Sequence, residues 1–218
     1  MKRLSVLICS FGSFHQREEI HLLLAQYREK CQYSFIFSKQ AVQQKADSYW
    51  SDLGEITSGE NFLTHMQLSE FDLILVPFLT RNSLAKIATG IADSAQLTIL
   101  QHLFLMGKEI LVSDHSYKTT TDHAVYHDLN QNKNYQQLIQ NHEQTLKSFG
   151  AKVGTLQDFK LAFGQKIAAE NVEARANMIG KKSQKLLTLQ DVKAAPYGSF
   201  DSSSRMTDLA REYLQEKK

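Results

Sequence analysis

The sequence predicts a three-layer α/β/α domain built around a parallel β-sheet. Continuous apolar runs, such as Leu4 to Cys9 and Phe71 to Leu79, are typical of strands that are buried on both faces. Between these runs, apolar residues recur at helical spacing, as in Ile20, Leu23 and Leu24. Because strands and helices alternate at this rhythm, we expect a parallel sheet with helices on both of its faces.

Length and composition limit the class of protein. A chain of 218 residues is too short for two full α/β domains, and its 42% hydrophobic content is that of a globular domain. The formal net charge of +2, from 25 basic and 23 acidic residues, argues against a nucleic-acid-binding protein. No apolar run is long enough to span a bilayer. Two cysteines, Cys9 and Cys31, are typical of reduced thiols and predict a cytoplasmic protein.

The strands and helices follow from the same patterns. A helical stripe is predicted from Ser83 to Met106, and a later helix ends at Gly150. The five predicted strands are Leu4–Cys9, Tyr33–Phe37, Phe71–Leu79, Glu109–Val112 and Ala151–Gly154.

The chain is predicted to consist of a main domain and an appendage. Thr155 and Asp158 form a capping box that opens a further helix. After this helix the composition changes to basic, Ser-rich and charged segments. We therefore predict a Rossmann-like domain over residues 1–178 and a C-terminal helical appendage over residues 179–218.

Three predicted strands end in polar turns that can receive an anion. These turns are Ser10-Phe11-Gly12-Ser13, Ser38-Lys39-Gln40 and Thr80-Arg81-Asn82-Ser83. In a parallel sheet all three lie along one edge, and the helices after them begin with unpaired backbone N–H groups. Lys39 and Arg81 add positive charge. The pattern favours a phosphate-bearing cofactor, although Ser, Thr and Asn also cap helices that bind nothing.

The segment Pro77-Phe78-Leu79-Thr80-Arg81-Asn82-Ser83-Leu84-Ala85-Lys86-Ile87-Ala88-Thr89-Gly90-Ile91-Ala92-Asp93 resembles a family signature. It is similar to the Asn-containing turn and following helix of the homo-oligomeric, flavin-containing Cys decarboxylase-like flavoproteins. Gly12-Ser13 and Thr64-His65-Met66-Gln67-Leu68 match two shorter segments of that family at the right spacing. The resemblance covers roughly residues 3 to 155 and implies a flavodoxin-like fold.

This resemblance implies FMN as cofactor, and redox or oxidative decarboxylation chemistry on a small carboxylate- or thiol-bearing substrate. It implies His65 as the active-site histidine, with Asn82 as its companion near the flavin. It also implies a homo-oligomer, a trimer or a multiple of trimers, with FMN at a subunit interface. The full set of predicted cofactor contacts is Gly12, Ser13, Phe14, Ser38, Lys39, Thr80, Arg81, Asn82 and Ser83.

The sequence also departs from the family. Arg81 stands where the family has a small residue, which should make the pocket more anion-seeking. After the predicted strand Glu109–Val112 the family carries a Met-Asn substrate clamp, whereas this chain reads Ser113-Asp114-His115-Ser116-Tyr117. The tail, over 185–192 and 206–212, is similar to flavoproteins from bacterial microcompartment gene clusters.

Two rival functions remain open. His123 and His127 lie four residues apart and can bind a metal if that segment is helical; the nearby candidate ligands are Asp114, His115, Asp122 and Asp128. The missing substrate clamp is also compatible with a non-catalytic or electron-carrier FMN protein inside a larger assembly.

An oligomer is predicted from helix periodicity as well. Leu97, Ile99 and Leu105 lie off the main apolar stripe of the helix predicted over Ser83 to Met106. In a monomer they should be exposed, and exposed apolar side chains of this size suggest a partner surface.

Overall fold

The fold is built around one β-sheet. The computed structural model describes residues 3–12, 16–43, 46–57, 64–118, 131–183, 188–194 and 207–216. Within these ranges, six strands form one fully parallel sheet in the order β3-β2-β1-β4-β5-β6. The strands are β1 (Leu4–Ser10), β2 (Cys31–Phe37), β3 (Gly54–Thr57), β4 (Leu73–Phe78), β5 (Ile110–Ser113) and β6 (Lys152–Gly154). The predicted parallel α/β fold is confirmed.

Helices connect these strands. Among the described residues they are α1 (Arg17–Gln26), α2 (Lys39–Gln43), α3 (Ala46–Trp50), α4 (His65–Ser69), α5 (Arg81–Ala88), α6 (Ala95–Leu105), α7 (Lys133–Ser148), α8 (Leu156–Ser183), α9 (Leu189–Ala194) and α10 (Asp208–Glu216). None of the helices in this part of the chain is long and apolar enough to cross a membrane.

The backbone contacts divide the chain into two units, Met1–Ile167 and Ala168–Lys218. In the second unit the ammonium of Lys193 on α9 lies 5.2 Å from the centre of the Tyr213 ring on α10. The predicted start of the appendage at residue 179 lies inside this second unit and stays a prediction.

Edge strand β3 was not predicted from the sequence. Its four residues include Ile56 as the one large apolar side chain, and none of the four is fully buried. A short edge strand is packed incompletely, so it carries no apolar run. Without β3 the order is that of flavodoxin, and with β3 it becomes 3-2-1-4-5-6.

The predicted helix over Ser83 to Met106 is wrong in one respect, because it is two helices. Gly90 has a φ of 77°, and the side chain of Ser94 accepts a hydrogen bond from the backbone N–H of Leu97 as α6 begins. Since α6 has its own direction, Leu97 and Ile99 are only 3% and 1% exposed. The prediction that both are exposed in a monomer is therefore wrong. Leu105 is 80% exposed, as predicted.

Each face of the sheet carries its own apolar core. Along β1 the side chains of Leu7 and Cys9 enter one core, and those of Val6 and Ile8 enter the other. We name them the Cys9 face and the Val6 face. Helices α5, α6 and α7 supply buried residues to the Cys9 face. Helix α1, Trp50 at the end of α3 and the first part of α8 supply the Val6 face.

A bulge in β4 determines where its last side chain points. Ile8 pairs with Leu75 and Ser10 with Phe78, so β4 has one more residue than β1 between these two pairs. Pro77, which cannot donate a ladder hydrogen bond, lies in this interval. As a result Phe78 packs on the Val6 face together with Leu73 and Leu75.

Gly54→Ala is expected to destabilise the protein by about 1–3 kcal/mol, as overpacking does in a tight site. A Cβ at Gly54 would lie 2.3 Å from the carbonyl oxygen of Tyr33, a backbone atom that cannot move without disturbing the pairing of β2 with β3. Urea unfolding measures the change. In the control Gly164→Ala the new Cβ meets only the hydroxyl of Tyr27, at 3.1 Å. This control should be neutral or stabilising, because Ala favours a helix over Gly, and an equal loss in both variants would contradict the prediction.

Candidate functional site

The carboxyl ends of β1, β2 and β4 lie side by side, as predicted. Ser10 pairs with Phe37 on one side and with Phe78 on the other. Just beyond the strands, the backbone N–H of Phe11 donates to the carbonyl oxygen of Phe78 at 3.0 Å. The backbone N–H of Ser38 donates to the carbonyl oxygen of Ser10, also at 3.0 Å. The chain leaves β1 toward β2 on one side, whereas β4 lies on the other. The strand order therefore reverses between β1 and β4, which is where open α/β sheets bind ligands.

The turn after β1 combines an accessible backbone with an unsatisfied hydroxyl. Gly12 has a φ of 106°, a conformation that favours glycine and lets a ligand approach the main chain closely. The hydroxyl of Ser10 is buried and has no hydrogen-bond partner among the described residues. A buried hydroxyl without a partner destabilises a fold by about 1–3 kcal/mol. From the sequence, Ser10 was predicted only as part of this polar turn. The predicted contacts Ser13 and Phe14 lie outside the described residues.

The turn after β2 begins α2. The hydroxyl of Ser38 accepts a hydrogen bond from the backbone N–H of Ala41 at 3.2 Å, and Ser38 is half-buried. Lys39 follows it and is exposed. Both residues therefore lie at the predicted edge of the sheet, one as a cap and one as a positive charge.

The turn after β4 is built around Thr80. Its hydroxyl accepts a hydrogen bond from the backbone N–H of Ser83 at 3.2 Å and donates to the Ser83 hydroxyl at 3.0 Å. Thr80 is thus the N-cap of α5, and Ser83 is buried beneath it. Asn82 is exposed, and its side chain makes no hydrogen bond within the described part of the chain. Its amide is therefore available to a ligand.

Arg81 connects this turn to the segment after β5. Its Nε donates to the carbonyl oxygen of Tyr117 at 2.8 Å, and the side chain is half-buried. A cation in the first turn of a helix lies against the helix dipole, which favours anions there. Among the described residues no carboxylate pairs with Arg81, so its charge adds to the positive potential of the α5 N-terminus.

The backbone of His65 lies on the helix that precedes β4, away from Asn82 of the same chain. Thr64 caps α4 in a capping box with Gln67, so His65 is the first residue of this five-residue helix. At the other end of α4, the ammonium of Lys108 donates to the carbonyls of Ser69 and Phe71 at 2.7 and 2.8 Å, just before β5 begins. The helix rises only about 6 Å from His65 to Ser69, whereas β4 spans about 20 Å. The backbone of His65 therefore lies nearer the amino edge, and its side chain is outside the described part.

A buried charge network holds the segment after β5. Asp114 forms an ion pair with Lys118, whose ammonium lies 3.9 Å from Glu143. Glu143 also pairs with Lys147 at 2.7 Å and accepts a hydrogen bond from the Tyr117 hydroxyl at 3.1 Å. Burial raises the pKa of Asp114 above its ordinary value although Lys118 opposes the shift. Burial and the nearby Glu143 carboxylate raise the pKa of Tyr117 far above its usual range.

His115 lies at the centre of this segment. Its Nδ1 is 2.8 Å from the hydroxyl of Ser113, and its Nε2 is 3.2 Å from that of Ser116. The ring meets Phe78 edge-on with 5.7 Å between ring centres, and the residue is only 7% exposed. From the sequence, His115 was considered only as a neighbour of the possible metal pair His123 and His127. A histidine directly after a strand end is a signal that could have identified it.

Cys9 is buried in the core and adds no reactive thiol to the site. Burial raises the pKa of the Cys9 thiol to about 12, which excludes it as a nucleophile near neutral pH. His123 and His127, with Asp122 and Asp128, lie outside the described residues. Within the described ranges no three His, Cys, Asp or Glu side chains are grouped closely enough to hold a metal ion.

Asp114→Asn is expected to remove a pH-dependent loss of stability. The raised pKa means that folded Asp114 keeps its proton to a higher pH than in the unfolded chain. The wild-type free energy of unfolding therefore falls as pH rises from about 3.9 through the raised pKa, and this fall is absent in the variant. Urea unfolding over this window measures the difference. Lys118→Met removes the opposing charge and should extend the fall to higher pH. A pH-independent difference between Asp114→Asn and wild type would contradict the prediction.

Comparison with known proteins places this geometry in a known fold. No protein-family model and no curated protein matches the sequence. Among solved structures, the chain is similar to the epidermin biosynthesis protein EpiD from Staphylococcus aureus, with 21% identity and a TM-score of 0.52 over 69% of this chain and 81% of EpiD. It is also similar to DmrB of Burkholderia xenovorans, described as a cubic protein cage for redox transfer, with 14% identity and a TM-score of 0.60 over 78% of this chain and 99% of DmrB.

A third similar structure is TvaF, an FMN-dependent cysteine decarboxylase from thioviridamide biosynthesis. It is 17% identical with a TM-score of 0.55, over 77% of this chain and 99% of TvaF. DmrB has also been solved in complex with FMN. At these identities the likeness establishes the fold. The chain therefore has the fold of the FMN-dependent cysteine decarboxylases and of DmrB, as the sequence resemblance predicted.

Proposed function

We propose that this protein binds FMN at the carboxyl edge of its sheet and uses it in redox or oxidative decarboxylation chemistry. The observation that carries the proposal is the reversal of strand order between β1 and β4, flanked by Gly12 and by the Thr80 cap of α5. The comparison with solved structures also supports the proposal, because this chain shares its fold with TvaF, which is FMN-dependent, and with DmrB, which has been solved with FMN.

The residues present fit such a cofactor. The positive φ of Gly12 and the first turn of α5 offer backbone N–H groups to a phosphate. The unpartnered hydroxyl of Ser10 and the exposed amide of Asn82 are available for polar groups of the ring or its side chain. Ser13, Phe14, Ser38, Lys39, Thr80, Arg81 and Ser83 complete the proposed set.

When bound, FMN supplies the electron sink for oxidation of a substrate carbon. The protein's own residues bind and orient the substrate. Arg81, fixed through its Nε to Tyr117, presents its remaining N–H groups to a carboxylate. A small substrate that carries a carboxylate or a thiol matches this charge. We keep His65 as a proposed active-site histidine, supplied by a second copy of the chain.

A second candidate function is electron transfer without a substrate. It is favoured by the segment after β5, where Asp114, Tyr117 and Lys118 are engaged with the protein's own groups. DmrB, which shares the fold, is described as a cage for redox transfer. In this alternative the flavin exchanges electrons with a partner and the edge of the sheet binds no substrate. Cytoplasmic location and association with a microcompartment stay predictions.

Asn82→Ala is expected to lower FMN content, with little change in the melting temperature. Thr80 caps α5, whereas the Asn82 side chain makes no hydrogen bond in the described part, so its loss removes a ligand contact only. Purified wild-type protein should be yellow, and the absorbance of the flavin measures FMN content.

Trp50, the single tryptophan of the chain, gives a second measurement. The centre of its ring lies 6.0 Å from that of Phe78 at the end of β4, so tryptophan fluorescence should decrease as FMN binds.

The matched control is Asn141→Ala, an exposed helical asparagine on α7 that bonds to Gln137. It should leave FMN content and fluorescence quenching at wild-type levels. Thr80→Ala should instead lose about 1 kcal/mol of stability through the missing cap. A colourless wild-type protein that cannot be reconstituted with FMN would overturn the proposed function.

We further propose a homo-oligomer that FMN stabilises. Met66 and Leu105 are 77% and 80% exposed, and exposed apolar side chains of this size are suited to a partner surface. If FMN contacts two subunits, removing it must favour smaller species or lower the melting temperature. Light scattering of FMN-loaded and stripped protein tests this, and a monomer in both states would contradict it.

A further inference from the structure

Gln96 is a buried polar residue that lies outside the proposed set of cofactor contacts. It occupies the first turn of α6 and is only 2% exposed. Its side-chain Nε2 donates a hydrogen bond to the backbone carbonyl oxygen of Phe37 at 2.8 Å. The other buried polar residues of the described ranges lie at or just after the ends of β1 and β5, at the start of α5 or against Tyr117: Ser10, Ser83, Ser113, Asp114, His115 and Glu143. Gln96 therefore reaches the same carboxyl edge, from the Cys9 face on which α6 packs.

The hydrogen bond from Gln96 holds the end of β2. Among the described residues, the pairing of β2 with β3 ends at Ile36, so Phe37 lies beyond that ladder. Gln96 gives the Phe37 carbonyl a donor there, and it brings no charge into the apolar core. On the other side, the backbone N–H of Ser38 donates to the carbonyl oxygen of Ser10 at 3.0 Å. The end of β2 is therefore fixed by two different elements, β1 and α6.

Two residues suited to a phosphate follow directly after Phe37. Ser38 accepts a hydrogen bond from the backbone N–H of Ala41, and its hydroxyl still has a hydrogen to donate. Lys39 is exposed and adds a positive charge. The phosphate is the charged part of FMN, and charge-assisted hydrogen bonds are stronger than neutral ones. The position of this turn should therefore affect the phosphate more than the uncharged ring.

The connection that carries Gln96 begins at the turn after β4. Just after α5, the backbone N–H of Ile91 donates to the carbonyl oxygen of Lys86 at 2.8 Å. The ammonium of Lys86 also pairs with the carboxylate of Asp93 at 2.7 Å. Ser94 then caps α6. Because these contacts fix the direction of α6 relative to α5, Gln96 connects the turn after β2 with the turn after β4.

We propose that Gln96 is a positioning residue for the phosphate of FMN. It acts through the carbonyl of Phe37, which fixes the turn that presents Ser38 and Lys39, and it does not touch the cofactor itself. The inference rests on the proposed function and adds a residue that fixes one side of that site. Loss of the Gln96 amide should therefore weaken binding of the phosphate and leave binding of the flavin ring unchanged.

The experiment compares FMN with riboflavin, which has the same ring but no phosphate. Each compound is titrated with the full-length, flavin-free protein, and the change in flavin fluorescence gives its dissociation constant. Gln96→Met keeps an unbranched side chain of similar length but removes the donor. It should weaken FMN binding about 3- to 10-fold, the equivalent of one hydrogen bond. Riboflavin binding should stay at the wild-type level.

The matched control is Gln101→Met, a half-buried glutamine on the same helix. It should keep the wild-type dissociation constants for both compounds. Ser94→Ala leaves Gln96 in place but removes the cap of α6, and it serves as the test if Gln96→Met does not fold. It should weaken FMN binding by a smaller factor, again with riboflavin unaffected.

A double substitution tests the route through the turn after β2. Lys39→Met removes the charge that this turn presents. If Gln96 acts through the turn, Gln96→Met should weaken FMN binding less in the Lys39→Met background than in wild type. Fully additive losses, an equal loss for FMN and riboflavin, or no loss in the variant that is tested would overturn this inference alone. Failure of wild type to bind FMN would overturn the proposed function and this inference with it.

Discussion

The reversal of strand order between β1 and β4 is the constraint on which the site depends. Parallel β1 sends its helix to the Val6 face, and β4 sends α5 to the Cys9 face. The two helices diverge, and the edge between them carries main chain and small polar residues. The hydrogen bond from Phe11 to the Phe78 carbonyl fixes the spacing of the two turns at this edge. The bulge near Pro77 then directs Phe78 to the Val6 face, where it forms one wall beneath the turns.

The segment after β5, which borders the site, is held in place by buried charged groups. Tyr117 joins two structural elements, because its carbonyl receives Arg81 of α5 and its hydroxyl donates to Glu143 of α7. Glu143 in turn is neutralised by Lys147. A buried carboxylate is tolerated when it is paired, and loss of one partner leaves an uncompensated charge. The segment after β5 is therefore held from both ends, which gives the ring of His115 a defined position in the molecule.

The sequence predicted most of this arrangement for identifiable reasons. The main strands are long apolar runs, and Thr80 with Ser83 has the spacing of a helix cap, so both could be read directly. Edge strand β3 was not predicted because its four residues, none of them fully buried, show no periodic apolar pattern. The break between α5 and α6 was not predicted because Gly90 and Ser94 lie between two helical segments that both carry apolar residues at regular spacing.

Other features could not be read because they depend on tertiary contacts. The position of His115 directly after a predicted strand was the one local signal, whereas its contact with Phe78, thirty-seven positions earlier in the chain, depends on the fold. The role of Arg81 also depends on a tertiary contact. Its charge was visible in the sequence, but its hydrogen bond to Tyr117 needed β4 and β5 to be neighbours.

The two histidines of the proposed site have different structural requirements. His115 follows β5, and the chain that carries Asn82 and Arg81 also brings His115 to the same edge of the sheet. His65 begins a short helix whose other end is anchored at the amino edge by Lys108. Its backbone can approach a flavin only when a second chain supplies it. The position of His115 is therefore formed by a single chain, whereas any contribution from His65 requires the oligomer. Dissociation should therefore remove any contribution from His65 and leave the position of His115 unchanged, so protein concentration separates the two.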